Sequence, residues 1–174
     1  MTAVVVPVLV VLLVLANLRD DEPDDPPVDV SGPSASARAD LPVLEVPVPA
    51  PTPETDAACP RFMTDLPVEL AGQRSRPVRS DTPYAYAWGE PAIVLRCGVE
   101  RPAAFVLDSQ VFDINGVTWF VDDSDPDHVL YTAVDRPVYV ELSVPPTVNS
   151  GPVATLSPLI SATMARQEPQ PGDG

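Results

Sequence analysis

Hydrophobic positions follow three regimes along this 174-residue chain. From Ala3 to Ala16 every residue is uncharged and none carries a hydrogen-bonding side chain. From Arg19 to Ala58 apolar residues are scattered among nine prolines. From Cys59 to Arg166 they become periodic, and the period changes from helical to strand-like and back.

The periodic part reads as one folded unit, residues 59–166, on the order of 105 residues and enough for a single core. Cys59-Pro60 puts proline at a first helical position, and Phe62, Met63, Leu66 and Leu70 recur at helical spacing, so a short helix is predicted to start there and end near Pro67. Gln73 to Val78 reads as extended, with Arg74 and Arg76 on one face. Asp81-Thr82-Pro83 has the form of a cap followed by proline and predicts one or two helical turns through Trp88, ended by Gly89. Ala92 to Cys97 is an apolar, β-branched run and predicts a buried strand. Val111–Ile114 and Val117–Val121 flank Asn115-Gly116, the strongest short hairpin signal, because both turn positions need positive φ. Val129–Val134 and Pro137–Val144 add two strands, and Pro145-Pro146 stops the second. Val153, Leu156, Ile160 and Met164 mark a C-terminal helix, which Pro158 is expected to kink or to start late. Residues 167–174 read as a disordered polar tail. The expected fold class is α+β, a mostly antiparallel sheet with a short N-terminal and a C-terminal helix.

The first regime, residues 1–18, is a membrane-targeting signal. As a helix it would be about 27 Å long, just short of a hydrocarbon core of roughly 30 Å. A transmembrane anchor with the domain outside and a cleaved secretion signal both fit, and the anchor is preferred. No Lys or Arg precedes the run, although either kind of segment normally has one there. A translation start upstream of Met1, with basic codons between, is therefore expected. The second regime, residues 19–58, carries ten acidic residues against two arginines and predicts an extended linker. Within it, Leu41 to Val48 is apolar enough to add an edge strand to the domain. A spacer of this kind is most useful when one end is fixed in a membrane.

The formal net charge of −15, with ten Arg and no Lys, excludes nucleic acid as an expected partner, because phosphate contacts need a basic surface. Cys59 and Cys97 are the only cysteines, and outside the cytoplasm an even count favours a disulfide. That bond would pin the first helix to the buried strand. With no C-x-x-C and one histidine, the two thiols suit neither redox catalysis nor a metal site.

Four candidate features remain. Asp123, Asp125 and Asp127 have the spacing of a calcium loop's first ligands, but its glycine and final glutamate are missing, and a solvated turn is expected. His128 could be drawn into a triad with Asp108 and Ser109, yet nothing resembles a nucleophile elbow. Arg74, Arg76 and Arg79 form a basic patch in an acidic chain. With Trp88 and Arg96 they make up the candidate contact surface, suited to an anionic envelope polymer or an acidic protein partner. No catalytic residue, cofactor or metal ligand is assigned.

Cys59-Pro60, Leu66-Pro67, the block Tyr84 to Val99 with its W-G-E-P-A-I-V-L-R-C-G core, and Arg101-Pro102 resemble an uncharacterised actinobacterial family, domain of unknown function 3515. Asn115 to Trp119 and Val138 to Glu141 resemble its later blocks. The resemblance implies an N-terminal membrane or signal segment before a variable linker and strengthens the domain boundary and the Cys59–Cys97 pairing. It implies no activity. The expected function is a binding or assembly module at the cell envelope, tethered to the membrane by its N-terminal segment. The alternative is an envelope enzyme of hydrolase type. A deep pocket with polar groups converging around Asp108, His128 or Arg96 would favour the enzyme, and a shallow apolar or arginine-lined face would favour the module.

Overall fold

Alternating apolar residues in six segments build a single antiparallel sheet with two helices on one face. The computed structural model describes residues 40–173, all within the unit Ala35–Gly174. The expected membrane segment and most of the expected linker lie outside the described residues. Among the described residues no helix is long and apolar enough to cross a membrane. The elements, in chain order, are β1 (Leu44–Glu45), α1 (Pro53–Thr64), β2 (Glu69–Leu70), β3 (Gln73–Arg74), β4 (Val78–Arg79), β5 (Ala85–Trp88), β6 (Ile93–Val99), β7 (Val111–Ile114), β8 (Val117–Asp122), β9 (Val129–Ala133), β10 (Tyr139–Val144) and α2 (Gly151–Thr163). The main sheet runs β5-β6-β10-β9-β8-β7, and β2-β3 and β1-β4 form two small ribbons. The fold is α+β, as expected.

The strand register sorts the side chains by face. Leu95 lies opposite Leu142, Cys97 opposite Val140, Val140 opposite Ala133 and Ala133 opposite Trp119, so these residues share the helix side. There they pack with Cys59 and Phe62 of α1 and with Val153, Leu156 and Ile160 of α2. Trp88 and Trp119 are wholly buried in this layer. At ~25 cal/mol per Å² and roughly 200 Å² a ring, each contributes on the order of 5 kcal/mol against the entropy of folding. Their polar edges are satisfied: Trp88 Nε1 donates to Pro67 O at 2.8 Å, and Trp119 Nε1 to Ser157 Oγ at 3.0 Å. Cys59 and Cys97 are joined by a disulfide that ties α1 to β6, as the cysteine count implied.

Several local expectations are corrected. The first helix starts at Pro53 and not at Cys59-Pro60. Thr52 caps it by accepting from Thr55 N at 3.2 Å, with proline in the first turn, and Pro60 falls inside it. Ordered structure therefore reaches well into the segment read as linker. The turns predicted at 81–88 are instead a turn and a strand. Thr82 Oγ1 accepts from Tyr84 N, which closes a local turn, and Ala85–Trp88 then pairs with Ile93–Arg96. The alternation Tyr86/Trp88 against Ala85/Ala87 was the stronger signal there. Leu44-Glu45 does form an edge strand, but it pairs in parallel with Val78-Arg79 and not with the main sheet. Residues 167–173 are docked. Gln167 N donates to Asp135 O at 2.8 Å and Gly172 N to Phe105 O at 2.9 Å, beside a second small core of Phe105, Phe120 and Val134.

Helix α2 runs unbroken through Pro158, with no late start. Proline cannot donate to the carbonyl four residues back, which leaves Ala154 O without its helical partner. Asn115 at the hairpin tip supplies one: its Nδ2 donates to Ala154 O at 2.9 Å. The same residue sits at φ 49°, followed by Gly116 at φ 82°, so one asparagine serves both the turn and the helix. Asn115→Gly keeps the turn and removes the amide, and should cost about 1 kcal/mol in chemical denaturation. In a Pro158→Ala background, where Ala154 O regains a backbone donor, the same change should cost at most ~0.3 kcal/mol. Equal costs in both backgrounds would disprove the coupling.

Candidate functional site

The proposed contact surface does not assemble as an open face. Trp88 is fully buried. Arg76 is buried as well: Nη1 donates to Gly89 O at 3.0 Å and pairs with the Glu90 carboxylate, and Nη2 donates to Pro42 O at 2.9 Å. Arg79 is exposed and pairs with Glu45 at 2.8 Å. Arg96 donates through Nε to Glu141 Oε1 at 2.9 Å, pairs with it again through Nη2, and reaches Pro47 O through Nη1 at 3.4 Å. Arg74 is exposed on the other ribbon. Three of the four arginines thus hold residues 42–47 against the domain, which is an intramolecular task. Buried charges must be paired: Glu90 pairs Arg76 and Glu141 pairs Arg96, while Pro42 O and Pro47 O each accept a further donor.

The enzyme-type constellation does not assemble either. Ser109 Oγ accepts from Val106 N at 2.9 Å and donates to Ala104 O at 3.0 Å, while the ion-pair neighbour of His128 is Asp125 at 3.7 Å. The cavity at Arg96, about 160 Å³, is lined by Leu44, Glu45, Val46, Pro47, Val94 and Ser143, without Asp108 or His128. In the loop 122–128, Asp122 accepts from Ser124 N at 3.0 Å and Asp125 from Asp127 N at 2.9 Å, both local turns. Hydrogen bonds from the Ser124 side chain and amide hold the Asp122 carboxyl below the usual range, so it is ionised at neutral pH.

The open feature is the free edge of the main sheet. β5 at one end is covered, since Arg76 N donates to Ala87 O and Gly89 N to Arg74 O. At the other end no strand among the described residues pairs with the outer side of β7. Phe112 keeps 51% of its surface, Val111 41% and Leu107, just before the strand, 72%. Beside this edge lies an open groove of about 540 Å³ lined by Phe112, Ile114, Val121 and Tyr131, with Ser150 at the start of α2. Exposed apolar edges invite pairing with another chain. The sequence carried a signal for this: in Val-Phe-Asp-Ile, Phe112 and Ile114 share one face and Val111 adds an apolar residue to the face of Asp113, which a one-sided surface strand has no reason to do.

A family model described as "Protein of unknown function (DUF3515)" matches residues 2–169. The chain belongs to that family. The resemblance read from the Tyr84–Val99 block and the hairpin is borne out over nearly the whole chain, and membership brings no activity with it. No curated protein and no solved structure matches this family member.

Sequence reasoning also missed an ionic cluster. Asp135 is completely buried in the β9–β10 connection, with Arg136 Nη1 2.8 Å and Arg166 Nε 3.2 Å from its Oδ2. Arg136 Nη2 donates to Gly116 O at 2.6 Å and to Ser161 Oγ at 2.9 Å. The cluster ties the hairpin tip and the end of α2 to the sheet. Neighbouring Asp and Arg in a loop look like solvated charge, and only the tertiary contacts bury them.

Proposed function

We propose that this chain is a docking module displayed outside the cytoplasm, working through the open β7 edge and its groove. The observation that carries the reading is the exposed Val111-Phe112 pair on an edge strand whose outer side pairs with no strand among the described residues, beside an apolar groove. The Cys59–Cys97 disulfide supports an oxidising compartment. The apolar run at 1–18 supports a membrane tether, and a cell-envelope partner follows from that placement. The hydrolase reading has little support, because Ser109, His128 and Arg96 are each engaged apart from one another.

Site-specific photo-crosslinking in cells tests this. A photoreactive residue at position 112 should give a discrete protein adduct, and one at exposed Arg61 on α1 should not. The same adducts from both positions, or none from 112, would refute docking at this edge. Free-thiol labelling of Cys59 and Cys97 in cells without a reductant would refute the compartment.

A further inference from the structure

Resting on the docking reading, we infer that the β7 edge takes an extended peptide segment as a seventh strand, with apolar side chains alternating with Arg or Lys. The hairpin turn sets the hydrogen-bonding direction of the edge. Asn115 and Gly116 both have positive φ, as in a two-residue primed turn, so the flanking Ile114 and Val117 form a hydrogen-bonded pair. The pattern alternates from there, and Phe112 also bonds inward to Trp119. Asp113 and Val111 are then the residues whose N–H and C=O point away from β8. The other side of the ladder agrees: Thr118, opposite Asp113, turns its carbonyl toward β9, where it accepts from Val134 N at 2.9 Å. An added strand thus finds two donors and two acceptors in register.

The side chains specify what that strand carries. On the helix side it would run beside Phe112 and Ile114 and the groove behind them, which calls for apolar residues at every second position. On the other side it would meet Asp113, whose side chain is 64% exposed, with Arg166 at 3.8 Å. Beyond Val111 lies the acidic loop, because Val111 pairs with Phe120 and the chain continues through Asp122, Asp123, Asp125 and Asp127. Basic residues suit these positions. A second copy of this chain suits them poorly, since its net charge of −15 would be brought against like charge.

The test uses the full chain and an eight-residue capped peptide of alternating Val and Lys. Saturable binding is expected, weakening at least tenfold from low to high salt. Amide exchange should slow at Val111 and Asp113 while Phe112 and Ile114, already in the ladder, stay unchanged. N-methylation of the peptide's edge-facing amides, or Glu in place of Lys, should each weaken binding at least tenfold. Phe112→Asp, at a half-exposed position, should abolish binding with the thermal transition retained; if that variant unfolds, the peptide modifications still decide. Equal binding by the N-methylated peptide overturns strand addition, and equal binding by the Glu peptide overturns the basic preference. A concentration-dependent doubling of mass that Phe112→Asp removes would assign the edge to a second copy. If the peptide fails to bind while position 112 still crosslinks in cells, docking survives and this inference falls. If both fail, both fall.

Discussion

Replacing Cys59 and Cys97 together by alanine should lower the unfolding free energy by about 4 kcal/mol, with a fall in Tm of about 15 °C. The two cysteines are 38 residues apart, so the intact bond removes a long loop's worth of freedom from the unfolded chain. In the chain-entropy model a loop of this size gives about 4 kcal/mol. Both residues are fully buried between α1 and β6, so alanine also leaves a small void. Urea unfolding of the double variant checks this, and its m-value should rise because the unfolded chain is no longer crosslinked. A loss below about 1 kcal/mol would mean that α1 is held by its Phe62 packing alone and that the bond does little.

Asp135→Ala should cost about 3–5 kcal/mol, and so should Arg136→Met, although neither residue is part of the groove. Asp135→Ala strands the buried Arg136, and Arg136→Met leaves Asp135 only the largely exposed Arg166 at 3.2 Å. The Arg136 side chain is 2% exposed, and without Asp135 its charge faces only the carbonyls of Asp135 and Gly116 and the Ser161 hydroxyl. Asp135 has no exposed surface at all. The double variant should cost less than the sum of the singles by at least ~2 kcal/mol, because removing both charges leaves neither uncompensated. Arg166→Ala should cost under ~1 kcal/mol, since that side chain is 62% exposed and its interaction is screened by water. Denaturation of the four variants gives the cycle directly. Strict additivity would show that Asp135 and Arg136 are not energetically paired.

These two effects differ in how visible they were beforehand. The cysteine pair was readable because a covalent bond needs only two thiols and an oxidising compartment. The ionic pair was not, because Asp135-Arg136 beside Pro137 has the composition of an exposed turn. Similarly, the Asn-Gly hairpin was readable from local conformation, whereas the second use of Asn115, as donor to the carbonyl that Pro158 leaves open, depends on where α2 packs. The basic patch reversed its meaning for the same reason. Arg76 and Arg96 looked like an outward surface, but Glu90 and Glu141 pair their charges and residues 42–47 fold back to accept one further donor from each.

From sequence alone follow the antiparallel strands from Ile93 to Val144, the hairpin turn, the disulfide partners and the family, since each depends on local periodicity, turn chemistry or a residue pattern. The start of α1 and the strand at Ala85–Trp88 were misread because caps and alternation compete over a few residues, and packing on β6 decides between them. Which edge of the sheet stays open was settled only by the tertiary structure. Every strand brings the same unpaired amides to the fold; strand order places β5 and β7 at the two edges, and residues 74–76 then cover β5, while no strand among the described residues pairs with the outer side of β7, where Val111 and Phe112 stay exposed.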